Sequence, residues 1–210
     1  MPINEEPPLH PTAQKLVDTV IEMMQTAPYD AIKSENVLAR SGITRGPLYH
    51  HFVDFDHLIE TAQIQIYRGV LLQITSQLVD VIESATDLES AKSEMHEFIK
   101  KRSSHISQSA LRQRVGIIHN AASQPKLRER LHGIQEGITQ EWMKAYQICL
   151  DKGWADPEMD SRCVSILMQS SFIGRILDEM SNIHLDPDEW IKIQIKLFDS
   201  FFFVGVSTNK

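Results

Sequence analysis

The run from His50 to His57 places three imidazoles and two carboxylates (His50, His51, Asp54, Asp56 and His57) within one short stretch. Such side chains can ligate zinc or exchange protons near neutral pH. Their spacing matches no defined metal motif, because the chain has neither HExxH nor CxxC. The residues just before them suit a second chemistry. Arg45, Tyr49 and His50 follow Thr44 closely, and side chains of these types bind DNA phosphates and base edges. No nucleophile elbow, P-loop or dinucleotide fingerprint occurs, so no catalysis, no cofactor and no metal site are expected.

Two short helices joined by a glycine turn would hold these groups. Ser34 can cap the first, whose apolar positions are Val37 and Leu38. Gly42 stands where that helix must end, since glycine tolerates the left-handed conformation of a sharp exit. Ile43 plugs the space between the helices, and Thr44 is a good N-cap for the second. Arg45, Gly46 and Pro47 fill its first turn, where a proline costs no hydrogen bond. Leu48 and Phe52, four apart, face back onto Val37 and Ile43 and leave Arg45, Tyr49 and His50 outward. This is the plan of a helix-turn-helix, whose second helix enters the major groove.

The segment resembles the DNA-binding domain of the TetR family of bacterial transcriptional regulators. The resemblance rests on Tyr29, Asp30 and Ala31, then Val37, Arg40, Gly42, Ile43, Thr44, Arg45, Gly46, Leu48, Tyr49, His51 and Phe52, and on Leu58. It implies an all-α protein with an N-terminal tail and three-helix helix-turn-helix domain over residues 1–54. A helical effector-binding and dimerisation domain would follow over residues 55–210. It implies a homodimer that binds a pseudo-palindromic DNA operator, represses transcription and answers to a small-molecule effector. Carried over by position, Arg45 would contact a base and Thr44 and Tyr49 would hold phosphates. His50 would touch a base edge or a phosphate, and His51 would brace the helix. Lys33 and Ser34 would grip the backbone at the groove edge, with Gly46 and Pro47 in the turn that meets DNA. The chain departs from the family pattern at Pro47, where a small hydroxyl or alanine is usual, and at Phe55, where a lysine often supports a phosphate contact. Ile32 replaces a common threonine, with Lys33 beside it.

Composition bounds the rest. The 210 residues suffice for a sizeable core in one or two small domains. No apolar run is long enough to span a membrane, so no membrane partner is expected. The acidic, proline-rich start lacks the pattern of a signal peptide, and the two cysteines, Cys149 and Cys163, suit a reducing compartment. A cytoplasmic location follows as an expectation. Net charge is −7, unlike the basic balance common in nucleic-acid binders. Residues 1–60 hold four basic against nine acidic residues, yet Lys33, Arg40 and Arg45 outnumber Glu35 over residues 33–52. Positive charge is concentrated where phosphates would lie, which predicts salt-sensitive binding.

Helical periodicity runs through the remainder. Leu16, Val17, Val20, Ile21 and Met24 mark a first helix over about 11–26. A long helix spans about 55–83, and Thr86 with Glu89 suggests a capping box for the next. Another helix covers about 108–122, and Pro125 opens one that ends near Gly153. Asp156 with Pro157, and Asp186 with Pro187, mark two further starts.

The last two helices each carry two apolar stripes, one more than a lone subunit buries. Leu167, Ser170, Gly174, Leu177, Ile193, Leu197 and Phe201 are the expected dimer interface, pairing in a four-helix bundle. The candidate effector-binding residues are Met95, Phe98, Arg102, His105, His119, Trp142 and Tyr146, a mixture suited to an amphipathic organic ligand. A TetR-like ligand-binding dimer without sequence-specific DNA binding is the rival reading. An acidic surround on both sides of residues 44–50 would favour it.

Overall fold

Helical patterning at every scale implies an all-α chain, and the computed structural model has that architecture. It describes the backbone of residues 8–27, 29–105 and 108–205; the side chains of residues 29, 70, 72–74, 104, 105, 108 and 109 lie outside the description. The elements in order are α1 (Pro11–Met24), a 3-10 turn (Tyr29–Ala31), α2 (Ser34–Ser41), α3 (Arg45–His51), α4 (Phe55–Ser84) and α5 (Leu88–His105). Then follow α6 (Gln108–Ser123), α7 (Pro125–Asp151), α8 (Ser161–Gly174), a second 3-10 segment (Arg175–Met180) and α9 (Pro187–Phe202). No strand occurs among the described residues.

Several helix boundaries follow expected chemistry. Pro125 opens α7, and the chain leaves it through Gly153 at φ +70°. Asp186 accepts a hydrogen bond from the Asp188 N–H at the start of α9, with Pro187 in the first turn. Other boundaries differ from the sequence reading. Lys33, not Ser34, is the N-cap of α2, and it makes no side-chain cap. The capping box expected at Thr86 and Glu89 forms instead between Asp87 and Ser90. The Asp87 carboxylate accepts from the Ser90 N–H at 2.8 Å, and the Ser90 hydroxyl accepts from the Asp87 N–H at 3.2 Å. Helix α8 starts at Ser161, because Asp160 rather than Asp156 caps it through the Cys163 N–H at 2.7 Å. Helix α8 ends at Gly174 and tightens to 3-10 geometry at Arg175, so Leu177, expected on one stripe with Leu167, rides on a different spiral.

The chain divides into two units, Met1–Val70 with Arg112–Ile134, and Leu71–Leu111 with Gln135–Lys210. The core of the first is built from one face of α1 (Ala13, Leu16, Val17, Val20, Met24) closed by Val37, Leu48, Phe52 and Leu58. Burying each such leucine, valine or phenylalanine contributes about 1.5–3 kcal/mol, enough to fix a small three-helix cluster.

The second unit centres on aromatic packing among α7, α8 and α9. Trp142 lies 5.9 Å from Phe198 and 6.2 Å from Phe172, and Tyr146 meets Phe202 edge-on at 5.3 Å. Val164, Met168, Phe172, Phe198 and Phe202 are the buried stripes of α8 and α9. The opposite stripes stay open: Leu167, Ser170, Leu177 and Ile193 are exposed, and Gly174, Leu197 and Phe201 are half-buried.

Candidate nucleic-acid interface

The first unit builds its site from a short stiff hinge. The Gly42 N–H closes α2 onto the Leu38 carbonyl at 3.0 Å, and its φ of +66° lies in the left-handed region that favours glycine. The Ser41 hydroxyl holds the hinge, donating to the Leu38 carbonyl and accepting from the Ile43 N–H, each at 3.3 Å. Thr44 is the N-cap of α3 in extended conformation, without a side-chain cap bond. Leu48 and Phe52 are buried with Val37, and Ile43 packs against them. This packing turns the opposite face of α3 outward.

That outward face carries Thr44, Arg45, Gly46, Tyr49 and His50, all exposed, with Pro47 and His51 half-buried. Tyr49 is 55% exposed, high for a phenol and consistent with a surface role. A Cβ added at Gly46 would meet nothing within 4 Å, so internal packing does not demand glycine there. Lys33 is exposed and donates to the Asp30 carbonyl at 3.1 Å, while Ser34 is half-buried.

The electrostatics differ at the two ends of α3. At its start, Arg45 pairs with Glu35 of α2 at 3.2 Å, both side chains well exposed. The Glu35 carboxyl is held below its usual range first by its own backbone N–H, next by the Ser34 hydroxyl, and less by Arg45. An exposed ion pair of this kind is weak, so Arg45 can exchange Glu35 for a base or phosphate. At the end of α3, His51 stacks on His10 with ring centroids 4.9 Å apart and meets His50 edge-on at 5.0 Å. Burial first, then the facing His10 and His50, lower the His51 pKa. Glu35 thus borders the start of α3 and two histidines its end, with Asp54 and Asp56 just beyond.

The histidines and acids of the 50–57 run are engaged in other ways. The Asp54 carboxylate accepts from the His57 N–H at 2.7 Å, starting α4, and His57 Nδ1 accepts from the Val53 N–H at 3.3 Å. Among the described residues, no group of three or more His, Cys, Asp or Glu side chains is arranged to hold a metal ion. No described helix is long and apolar enough to cross a membrane.

The candidate effector residues fall in different surroundings. Met95, Trp142 and Tyr146 are buried in the second unit. The Tyr146 hydroxyl already donates to the Asp156 carbonyl at 2.9 Å. Phe98 is half-buried, and the Arg102 guanidinium lies 4.7 Å over the Phe172 ring. His119 is exposed on α6 in the first unit, and the His105 side chain lies outside the described residues. Sequence reasoning missed Arg114 in the first unit, whose guanidinium lies 5.5 Å from the Tyr67 ring and whose pKa is lowered chiefly by burial. It also missed a cleft of about 980 Å³ in that unit, lined by Val53, His57, Glu60, Lys126 and Arg130 among others. No periodic or spacing signal marks either.

Comparison with known proteins supports the fold. No protein-family model and no curated protein matches the chain by sequence. Solved structures do match by shape. A protein of Mesorhizobium loti, described as a TetR-family transcriptional regulator, superposes with a TM-score of 0.72 at 14% identity, over 90% of this chain and 94% of that one. The reduced form of NemR from E. coli gives 0.66 at 10% identity, over 93% and 100%. The regulatory protein TetR from Rhodobacter sphaeroides gives 0.66 at 15% identity, over 90% and 98%. The chain has the all-helical fold of TetR-family regulators.

Proposed function

We propose that this chain is a DNA-binding transcriptional regulator of the TetR type, acting as a homodimeric repressor on a pseudo-palindromic operator. The observation that carries this reading is the division of α3. Leu48 and Phe52 lock it into the core, while Arg45, Tyr49 and His50 are exposed on the surface. A helix held so firmly yet presenting a base-reading arginine and a phenol is suited to the major groove. Arg45 reads a base, Thr44 and Tyr49 hold phosphates, and Lys33 and Ser34 grip the backbone. The reading part is residues 1–54, and residues 55–210 carry dimerisation and effector binding.

Dimerisation uses the open stripes of α8 and α9, where Leu167 and Ile193 are 45% and 55% exposed. Apolar side chains so exposed on adjacent elements favour an isologous partner. A small organic effector binding among the helices of residues 55–210 shifts the dimer toward a geometry in which the two α3 helices no longer match successive grooves.

The test is selection of bound fragments from sheared genomic DNA, at low and at physiological salt. Enrichment of one palindromic site is expected. Arg45→Ala lowers affinity for it by roughly 5- to 150-fold, as the loss of a bidentate base contact implies. Absence of enrichment at both salts would favour the second reading, a ligand-binding dimer without sequence-specific DNA binding. The Arg45–Glu35 pair is the observation that speaks for that reading.

A further inference from the structure

The fixed cations of the helix-turn-helix are all engaged within the protein. Arg45 is paired with Glu35 and Arg40 with Glu22, each at 3.2 Å, and Lys33 is turned onto the Asp30 carbonyl. The end of α3 offers a different and variable charge. His10, just ahead of α1, stacks on His51 at an interplanar angle of 21°, and His50 closes on the same ring from the side. Three imidazoles thus share one surface, and two of them, His10 and His50, are exposed.

Resting on the DNA-binding reading above, we propose that His10, His50 and His51 form a phosphodiester-binding patch in which His51 takes up a proton when DNA binds. Operator affinity therefore rises as pH falls.

The surroundings of His51 explain the coupling. Among the described residues, the charged groups acting on it are His10 and His50. On α1, Asp18 is tied to Gln14 at 2.8 Å, and Gln14 to Gln65 at 2.9 Å. On the α4 side, Asp54 caps His57, whose ring lies edge-on to Phe52 at 5.6 Å. In the free protein, burial and the two neighbouring rings disfavour the charged form of His51. A phosphate arriving at this patch supplies an anion and favours that form. His10 is preorganised for the same contact. Its Nδ1 accepts from the Thr12 N–H at 3.3 Å, which assigns its ring proton to Nε2 as a donor.

The sign follows from linkage. Burial and the neighbouring rings hold free His51 below the ordinary imidazole value, and bound phosphate would raise it. Affinity then increases as pH falls through the bound value and levels off below the free one. Each proton taken up strengthens binding by at most about tenfold per pH unit.

The experiment measures binding of a fluorescent duplex of about 30 base pairs, long enough for two half-sites, from pH 8.0 to 5.5 at constant ionic strength. Fragments selected from genomic DNA serve as the specific probe and a mixed-sequence duplex as the control. The wild type should gain about fivefold or more between pH 8 and 6. His10→Gln and His51→Gln should each flatten that slope. NMR titration of the His51 ring in the intact protein gives a second readout, with a value below the ordinary imidazole range in the free protein that rises on adding duplex. A wild-type profile flat in pH, a slope unaltered in both variants, or an His51 value unmoved by DNA overturns this inference alone, provided that binding is still lost in Arg45→Ala. No binding of either duplex at any pH overturns it together with the DNA-binding reading.

Discussion

Replacing Gly46 with alanine should move stability and DNA binding in opposite directions. The position lies in the first turn of α3, is exposed, and a Cβ there would meet no heavy atom within 4 Å. Alanine loses less backbone freedom than glycine on entering a helix, so the variant should gain a few tenths to about 1 kcal/mol. For a chain of this size that corresponds to a rise in Tm of about 1–4 °C. On DNA the same methyl group would stand between α3 and the phosphates. Losing one charge-assisted hydrogen bond through that displacement should lower affinity roughly ten- to a hundredfold. Thermal melts monitored by circular dichroism and anisotropy titrations with a selected fragment read the two effects. An alanine variant that is both more stable and fully competent for DNA would show that the first turn of α3 does not approach the duplex. A destabilised variant would show that the open space beside Gly46 is not open in solution.

Four further outcomes follow from the second unit. Lys152 donates to the carbonyls of Ile82, Glu83 and Ala85 at 2.9, 3.2 and 2.8 Å and lies 4.6 Å from the Trp154 ring centroid. Lys152→Met should therefore cost about 1.5–3 kcal/mol, or about 3–12 °C in Tm. Leu167→Glu combined with Ile193→Glu should yield a monomer by sedimentation with an unchanged helical spectrum, since both side chains are exposed; a persistent dimer would place the interface elsewhere. Burial pushes the Cys149 thiol up to about 12, so native Cys149 should resist a thiol reagent at pH 7–9 and react only on unfolding. Exposed Cys163, raised by Asp160, should react slowly at neutral pH and faster as pH rises, and Asp160→Asn should speed it at pH 8.

Local periodicity made much of the fold legible. The i, i+4 pair Leu48 and Phe52 reported which face of α3 is buried, and therefore that Arg45, Tyr49 and His50 must face out. Gly42 and the small-and-apolar pattern around it announced the hinge. The two stripes on α8 and α9 were readable because each repeats over several turns, and one of them is indeed the buried face. Cap positions were harder to read. Thr86 and Asp87 are both cap formers, and the choice of Asp87 depended on Ser90 reaching back to its N–H. The 3-10 segment at Arg175 has no proline or glycine beyond Gly174 to announce it.

Partnerships between distant elements left no sequence signal. Nothing in the spacing of Glu35 and Arg45 says that two helices at an angle will bring them to 3.2 Å. His10 lies in the proline-rich start of the chain, yet the path of α1 sets it on the far end of α3. These contacts determine how much charge the outward face of α3 offers, so the charge count over residues 33–52 described its sum and not its availability.

The most direct test of the account is a hydroxyl-radical footprint of the wild-type protein on a selected genomic fragment. Two protected patches on one face of the duplex are predicted, with centres about 34–36 Å or a multiple of that apart, and both fading together in Arg45→Ala. A single patch, protection unaffected by Arg45→Ala, or no protection at any salt would contradict a two-fold regulator that reads DNA through α3.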